Sequence, residues 1–86
     1  GLVSRVFEDA VFRSEVAAIA ARLAAAAPQA LRTMKRNFVD AEQMDLESYI
    51  QVETERHMQV MAHPDAREAF RAFVEKRPPR FTTGDA

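Results

Sequence analysis

Glu53 and His57 are the pair in this 86-residue chain whose types and spacing most resemble a reaction centre. Four residues apart on a helix, they would be neighbours on one face. A carboxylate beside an imidazole can hold a metal or pass a proton, but a metal site needs a third or fourth ligand. His63 is the only other histidine, and it falls at a helix start. An ordinary polar pair at the edge of a buried face is the simpler reading. The sequence contains no glycine-rich phosphate loop and no Gly-x-Ser-x-Gly elbow, and it has no cysteine to pair with a histidine. It therefore supports no metal site and names no catalytic residue.

The far end of the chain carries a different chemistry. Arg71, Lys76, Arg77 and Arg80 lie within ten residues of each other and face a single acid, Glu75, so three net positive charges gather there. Phe73 and Lys76 are three apart, a spacing that places an aromatic ring and an ammonium on the same side of a helix. A flat apolar ring beside a mobile point charge suits a nucleotide, with the base against the ring and a phosphate against the lysine. A solvated basic helix end, favoured by the dipole at a helix C-terminus, is the competing reading.

Positioning these groups falls to helices. Sixteen alanines accompany only two glycines, Gly1 and Gly84, which leaves turns to proline and polar residues. Phe12, Val16, Ile19 and Leu23 form an apolar stripe on a first helix that opens near Asp9 or Ser14 and stops before Pro28. Pro28 suits the first position of a second helix, with Leu31, Met34, Lys35, Phe38 and Val39 giving its period. Asp45 is the expected N-cap of a third, whose stacked face is Leu46, Ile50, Glu53, His57 and Met61, with Tyr49 and Val60 flanking. His63-Pro64-Asp65 ends it and begins a fourth helix, which carries Ala66, Ala69, Phe70, Phe73 and Val74 and runs to Pro78-Pro79. Ahead of all four, the run from Leu2 to Phe7 is β-branched and aromatic enough for a strand, yet it has no partner in the chain. The fold class is thus all-α, a small bundle of about four helices with one orphan strand-like segment. Residues 1–8 read as the end of a core domain whose other strands are missing, residues 9–81 as a helical cap and oligomerisation region, and residues 82–86 as a tail.

Composition narrows the functions open to such a chain. Twelve Lys+Arg against thirteen Asp+Glu leave a net charge of −1, unlike the basic face of a nucleic-acid binder. With 29 % charged residues and no apolar run near 18 residues, the sequence predicts no membrane span. The expectation is a soluble, cytoplasmic protein that meets neither nucleic acid nor membrane.

Several of these segments, taken in order, resemble the closing region of the enoyl-CoA hydratase/isomerase (crotonase) family. Gly1-Leu2-Val3-Ser4-Arg5-Val6-Phe7 is similar to that family's last core strand. Pro28 with Ala30-Leu31 and Lys35 resembles its second C-terminal helix, and Glu53 falls where its third helix often carries a glutamate. His63-Pro64-Asp65-Ala66-Arg67-Glu68-Ala69-Phe70-Arg71-Ala72-Phe73-Val74-Glu75-Lys76-Arg77-Pro78-Pro79-Arg80-Phe81 resembles the closing signature. Three positions depart from the pattern. Ala69 replaces a glycine, His57 stands at a place often held by a bulky apolar side chain, and His63 stands where a small hydroxyl residue usually caps the fourth helix.

The resemblance implies a larger acyl-CoA enzyme with no tightly bound cofactor. Its oxyanion hole and proton-moving carboxylates would belong to a core that precedes Gly1. The partners implied are that core, further copies of the enzyme in a trimer or hexamer, and acyl-CoA itself. In the family's Ala-Phe-x-x-Lys run the aromatic and the lysine reach the CoA nucleotide. Here they match Phe73 and Lys76, the two positions already singled out by spacing. An autonomous helical module for protein–protein interaction is the alternative, and the unpaired strand-like segment speaks against it.

Overall fold

The computed structural model describes residues 1–82, so all but Thr82 of the expected tail at 82–86 lies outside the described residues. Four helices follow one another: α1 (Asp9–Ala25), α2 (Pro28–Ala41), α3 (Leu46–Ala62) and α4 (Pro64–Val74). Their starts follow local chemistry. Pro28 takes the first turn of α2, where its missing N–H is not needed. The Asp45 carboxylate caps α3, accepting from the Ser48 N–H at 3.0 Å and the Ser48 hydroxyl at 2.9 Å. The α1 start is weaker, because its N-cap residue is Glu8, with no side-chain hydrogen bond. Ser14 lies inside that helix and donates to the Val11 carbonyl.

At the α3–α4 junction His63 performs the task of the missing hydroxyl residue. Its extended backbone ends α3, and its imidazole Nδ1 accepts the Asp65 N–H at 3.1 Å to open α4. The expected weakness of this cap is therefore met by a ring nitrogen in place of a hydroxyl. Accepting at Nδ1 places the neutral ring's proton on Nε2. That atom and Asp65 Oδ2 are buried and have no hydrogen-bond partner among the described residues.

No strand pairing occurs among the described residues, and the Leu2–Phe7 segment is without regular structure. Leu2, Val3 and Val6 are fully or largely exposed. β-propensity alone cannot make a strand, because the ladder needs a second backbone.

Packing joins α2 to α3 and α3 to α4. The faces turned inward are not the expected stripes. On α2, Asn37 and Asp40 face α3 and receive the Arg56 guanidinium, Asn37 Oδ1 at 3.0 Å and Asp40 through an ion pair. Met34, Phe38 and Val39 are left exposed, Phe38 at 76 %. On α3 the half-buried side is Tyr49, Val52, Arg56 and Val60, while Leu46, Ile50 and Met61 face outward. The two residues read as flanking, Tyr49 and Val60, belong to the inner face. Periodicity identifies an apolar stripe but not which neighbour covers it, and a buried-edge guanidinium with two acceptors here outcompetes the stripe for the α2–α3 contact.

The consequence is a chain almost without a core. Ala72 is the one buried apolar residue among the described residues, and Asp65 the one buried polar residue. The radius of gyration is 16.3 Å, against about 12 Å for a compact chain of this length. Its accessible surface is 7538 Å², where a compact 9.7 kDa protein exposes about 5100 Å². The excess equals a sizeable obligate interface. We expect the isolated chain to associate through these faces, its scattering mass rising with concentration. A strictly monomeric species with one sharp, cooperative melt would show that the helices cover each other better than this.

Candidate functional site

The candidate site lies at the end of α4, which stops at Val74, four residues before Pro78. The expected helix through Lys76 is thus corrected. The Lys76 N–H donates to the Phe73 carbonyl at 3.2 Å and the Arg77 N–H to the Ala72 carbonyl at 3.0 Å. This pairing is a Schellman turn, and it satisfies two carbonyls that the helix end would leave open. Lys76 occupies the left-handed position of that turn, with φ 53°. Glycine is the favoured residue there, because a Cβ crowds the backbone. Phe73 and Lys76 are therefore joined through a backbone hydrogen bond at the helix terminus, not stacked on a continuing helix face.

Beyond the turn the chain doubles back along α4, held by two acids on one face. The Glu68 carboxylate accepts from Arg77 Nη1 at 2.6 Å and Nη2 at 3.3 Å, and from the Arg80 backbone N–H at 3.0 Å. Asp65 Oδ1 accepts from the Thr82 N–H and the Thr82 hydroxyl, each at 2.9 Å. Arg77 also donates through Nε to Glu75 at 2.6 Å. Asp65, Glu68 and Ala72 sit at steps of three and four, which brings them onto a single side of the helix. The opposite side presents Phe70 at 73 % and Phe73 at 82 % exposure.

The basic cluster is therefore not uniform. Arg77 is engaged by two carboxylates, whereas no hydrogen bond or ion pair among the described residues holds the Lys76 ammonium. An apolar cleft of about 400 Å³ runs beside the site, walled by Ala27, Ala30, Ala66, Ala69, Phe70 and Phe73. Ala69, standing for the family's glycine, is part of that wall. The Phe73 ring on the wall of a cleft of this size suits a planar base, and the unengaged Lys76 ammonium three residues on suits a phosphate.

Glu53 and His57 are both exposed and border a shallow groove on α3 with Ile50 and Thr54. Glu53 hydrogen-bonds the Tyr49 phenol, whose pKa is raised as a result. Among the described residues, no group of three or more His, Cys, Asp or Glu is placed to hold a metal. Nor is any described helix long and apolar enough to cross a membrane. Sequence reading missed the roles of Glu68, Arg77, Asp65 and Thr82. Their separations of nine and seventeen residues carry no local period that could have exposed them.

The family of the chain follows from comparison. Residues 1–84 match the enoyl-CoA hydratase/isomerase family, and the chain belongs to it. It is 36 % identical over 81 residues to a Thermus thermophilus protein provisionally named an enoyl-CoA hydratase, covering 94 % of this chain and 32 % of that one. The structure resembles the enoyl-CoA hydratase of Mycobacterium tuberculosis with a TM-score of 0.86 at 26 % identity. It resembles the Mycobacterium marinum enoyl-CoA hydratase with a TM-score of 0.84 at 27 % identity. In both, 98 % of this chain and 33 % of the other are covered. The chain thus spans about a third of the length of these relatives, as an all-α region of the crotonase fold.

The clasp on α4 has a measurable signature. Hydrogen bonds from Arg77 and then from the Arg80 N–H lower the Glu68 pKa from 4.5 to about 2. A carboxylate depressed on folding stabilises the folded state above its unfolded pKa, and that contribution fades as pH falls through the folded value. We expect the hold of Glu68 on Arg77 and Arg80 to weaken as pH drops from about 4.5 to about 2, and Glu68→Gln to remove this dependence. NMR titration of the Glu68 carboxyl carbon measures it directly, and a midpoint near 4.5 would mean that the fork does not form.

Proposed function

We propose that this chain is the C-terminal helical region of an enoyl-CoA hydratase/isomerase-type acyl-CoA enzyme, where it helps to bind the CoA nucleotide and to assemble subunits. The observation that carries the binding role is the terminus of α4, where the closing turn joins the backbones of Phe73, whose ring is exposed, and Lys76, whose ammonium is unengaged. Phe73 offers an apolar face to the adenine, and Lys76 a point charge to a phosphate. The cleft beside Phe70 and Phe73 gives the base a second wall.

Assembly is supported by the open apolar faces. Phe12, Val16 and Leu23 on α1, Met34, Phe38 and Val39 on α2, and Leu46, Ile50 and Met61 on α3 are exposed. Large apolar side chains exposed on three successive helices are characteristic of a surface that another part covers. The remaining part of the enzyme and neighbouring subunits are its natural covers. His63 Nε2, buried and without a hydrogen bond among the described residues, fits the same picture, since a buried polar group left alone costs about 1–3 kcal/mol and a polar atom from the rest of the enzyme would relieve it. On this reading, the segment at residues 1–8 is the last strand of the core, and its partner strands supply the missing backbone groups.

The chemistry of turnover belongs outside these residues. An oxyanion hole and the carboxylates that move protons would come from the core, while this region holds the far end of the substrate and shields the site. The substrate is a CoA thioester, no tightly bound cofactor is needed, and the enzyme works in the cytoplasm.

Two outcomes test the proposal. In the complete enzyme, Lys76→Ala raises KM for an acyl-CoA more than for the corresponding acyl-pantetheine, which lacks the nucleotide. Equal effects on both substrates would remove the phosphate role. Phe73→Ala loosens CoA or subunit contacts, by about 1–3 kcal/mol where the ring is covered in the assembly. Unchanged affinity together with unchanged assembly would count against it.

A further inference from the structure

Lys76 combines two properties that pull apart. Its backbone is held at φ 53°, where glycine is the relaxed choice, and its ammonium is engaged by no described residue. A strained residue persists where its surroundings over-determine it. Here those surroundings are visible. The preceding residue, Glu75, and the following residue, Arg77, are joined to each other at 2.6 Å across Lys76. Arg77 is pinned in turn to Glu68, one helical face away, by two further bonds. Pro78 restricts Arg77 to extended backbone, and the Arg80 N–H secures the exit of the turn on the same Glu68 carboxylate.

We infer that the Arg77 fork is a positioning device for Lys76: by bridging Glu68 and Glu75 it holds the lysine in its left-handed conformation and keeps both carboxylates off the ammonium. This inference rests on the nucleotide reading of Lys76 above. Arg77 is a positioning residue, and its effect on the phosphates runs through Lys76. Two physical consequences follow from its removal. Without the bridge, the turn can relax out of positive φ and swing the ammonium away. The freed Glu75 carboxylate, next in sequence, can also pair with Lys76 and cancel its charge. Both reduce the attraction to a phosphate while leaving the rest of the substrate untouched.

The test compares Lys76→Ala, Arg77→Gln and the double variant in the complete enzyme, using crotonyl-CoA and crotonyl-pantetheine. The quantity read is the ratio of the two KM values. Lys76→Ala is expected to raise the ratio at least about threefold, and Arg77→Gln about twofold or more, as for partly exposed charge pairs. The double variant should be no worse than Lys76→Ala alone, because Arg77 acts through the lysine. NMR of Arg77→Gln should show the three-bond HN–Hα coupling and carbon shifts of residue 76 moving away from left-handed values. An unchanged ratio in Lys76→Ala would overturn the nucleotide reading itself. A normal response to Lys76→Ala, with Arg77→Gln affecting both substrates equally or not at all, would leave that reading intact and overturn the positioning role. A double variant clearly worse than Lys76→Ala would likewise overturn it, by showing that Arg77 meets the nucleotide directly. Should Arg77→Gln fail to fold, Glu68→Gln removes one arm of the fork and is read in the same way.

Discussion

Two carboxylates on one side of α4, Asp65 and Glu68, fasten the chain that follows the helix, and the geometry of the α4 terminus depends on that hold. Glu68 collects a guanidinium and a backbone N–H, while Asp65 collects both donors of Thr82. Between Val74 and the returning segment the turn closes with two backbone hydrogen bonds, and Lys76 takes its left-handed position. The Glu68–Arg77 ion pair is partly exposed and so individually weak in water, whereas Asp65 is buried. Together they act on a short segment that includes Pro78 and Pro79, whose fixed backbone angles lower the chain entropy to be overcome.

The rest of the molecule is organised by what it does not cover. Four helices normally close on a shared apolar interior. Here α2 and α3 meet instead through Arg56, Asn37 and Asp40, and the apolar stripes face away. A polar contact between helices with open apolar backs is reasonable when larger surfaces bind those backs. Membership of the enoyl-CoA hydratase/isomerase family, with relatives about three times as long, agrees with this arrangement.

Much of the architecture was legible in the residues. Pro28, Asp45 and the His63-Pro64-Asp65 run marked three helix boundaries, and the closing signature pointed to the family. The site was legible only in part. Phe73 and Lys76 were singled out by spacing, on the assumption that the helix continued past them. Their geometry differs from that reading, since the helix stops at Val74, before Lys76 is reached. The clasp was invisible because Glu68 meets Arg77 and Arg80, and Asp65 meets Thr82, only after the chain reverses. The inner faces of α2 and α3 were misjudged for a related reason, because an apolar stripe records that something covers it and not what.

What the sequence alone determined, then, is where helices start and to which family the chain belongs. Both rest on chemistry confined to a few adjacent residues: a ring without an N–H, a carboxylate within reach of the next turn, a run of signature side chains. Tertiary structure alone decided which helix sides meet, where α4 ends and how Lys76 is held. Those outcomes depend on groups brought together by the fold, Arg56 with Asp40 and Arg77 with Glu68, at distances that exist only once the backbone has folded back on itself.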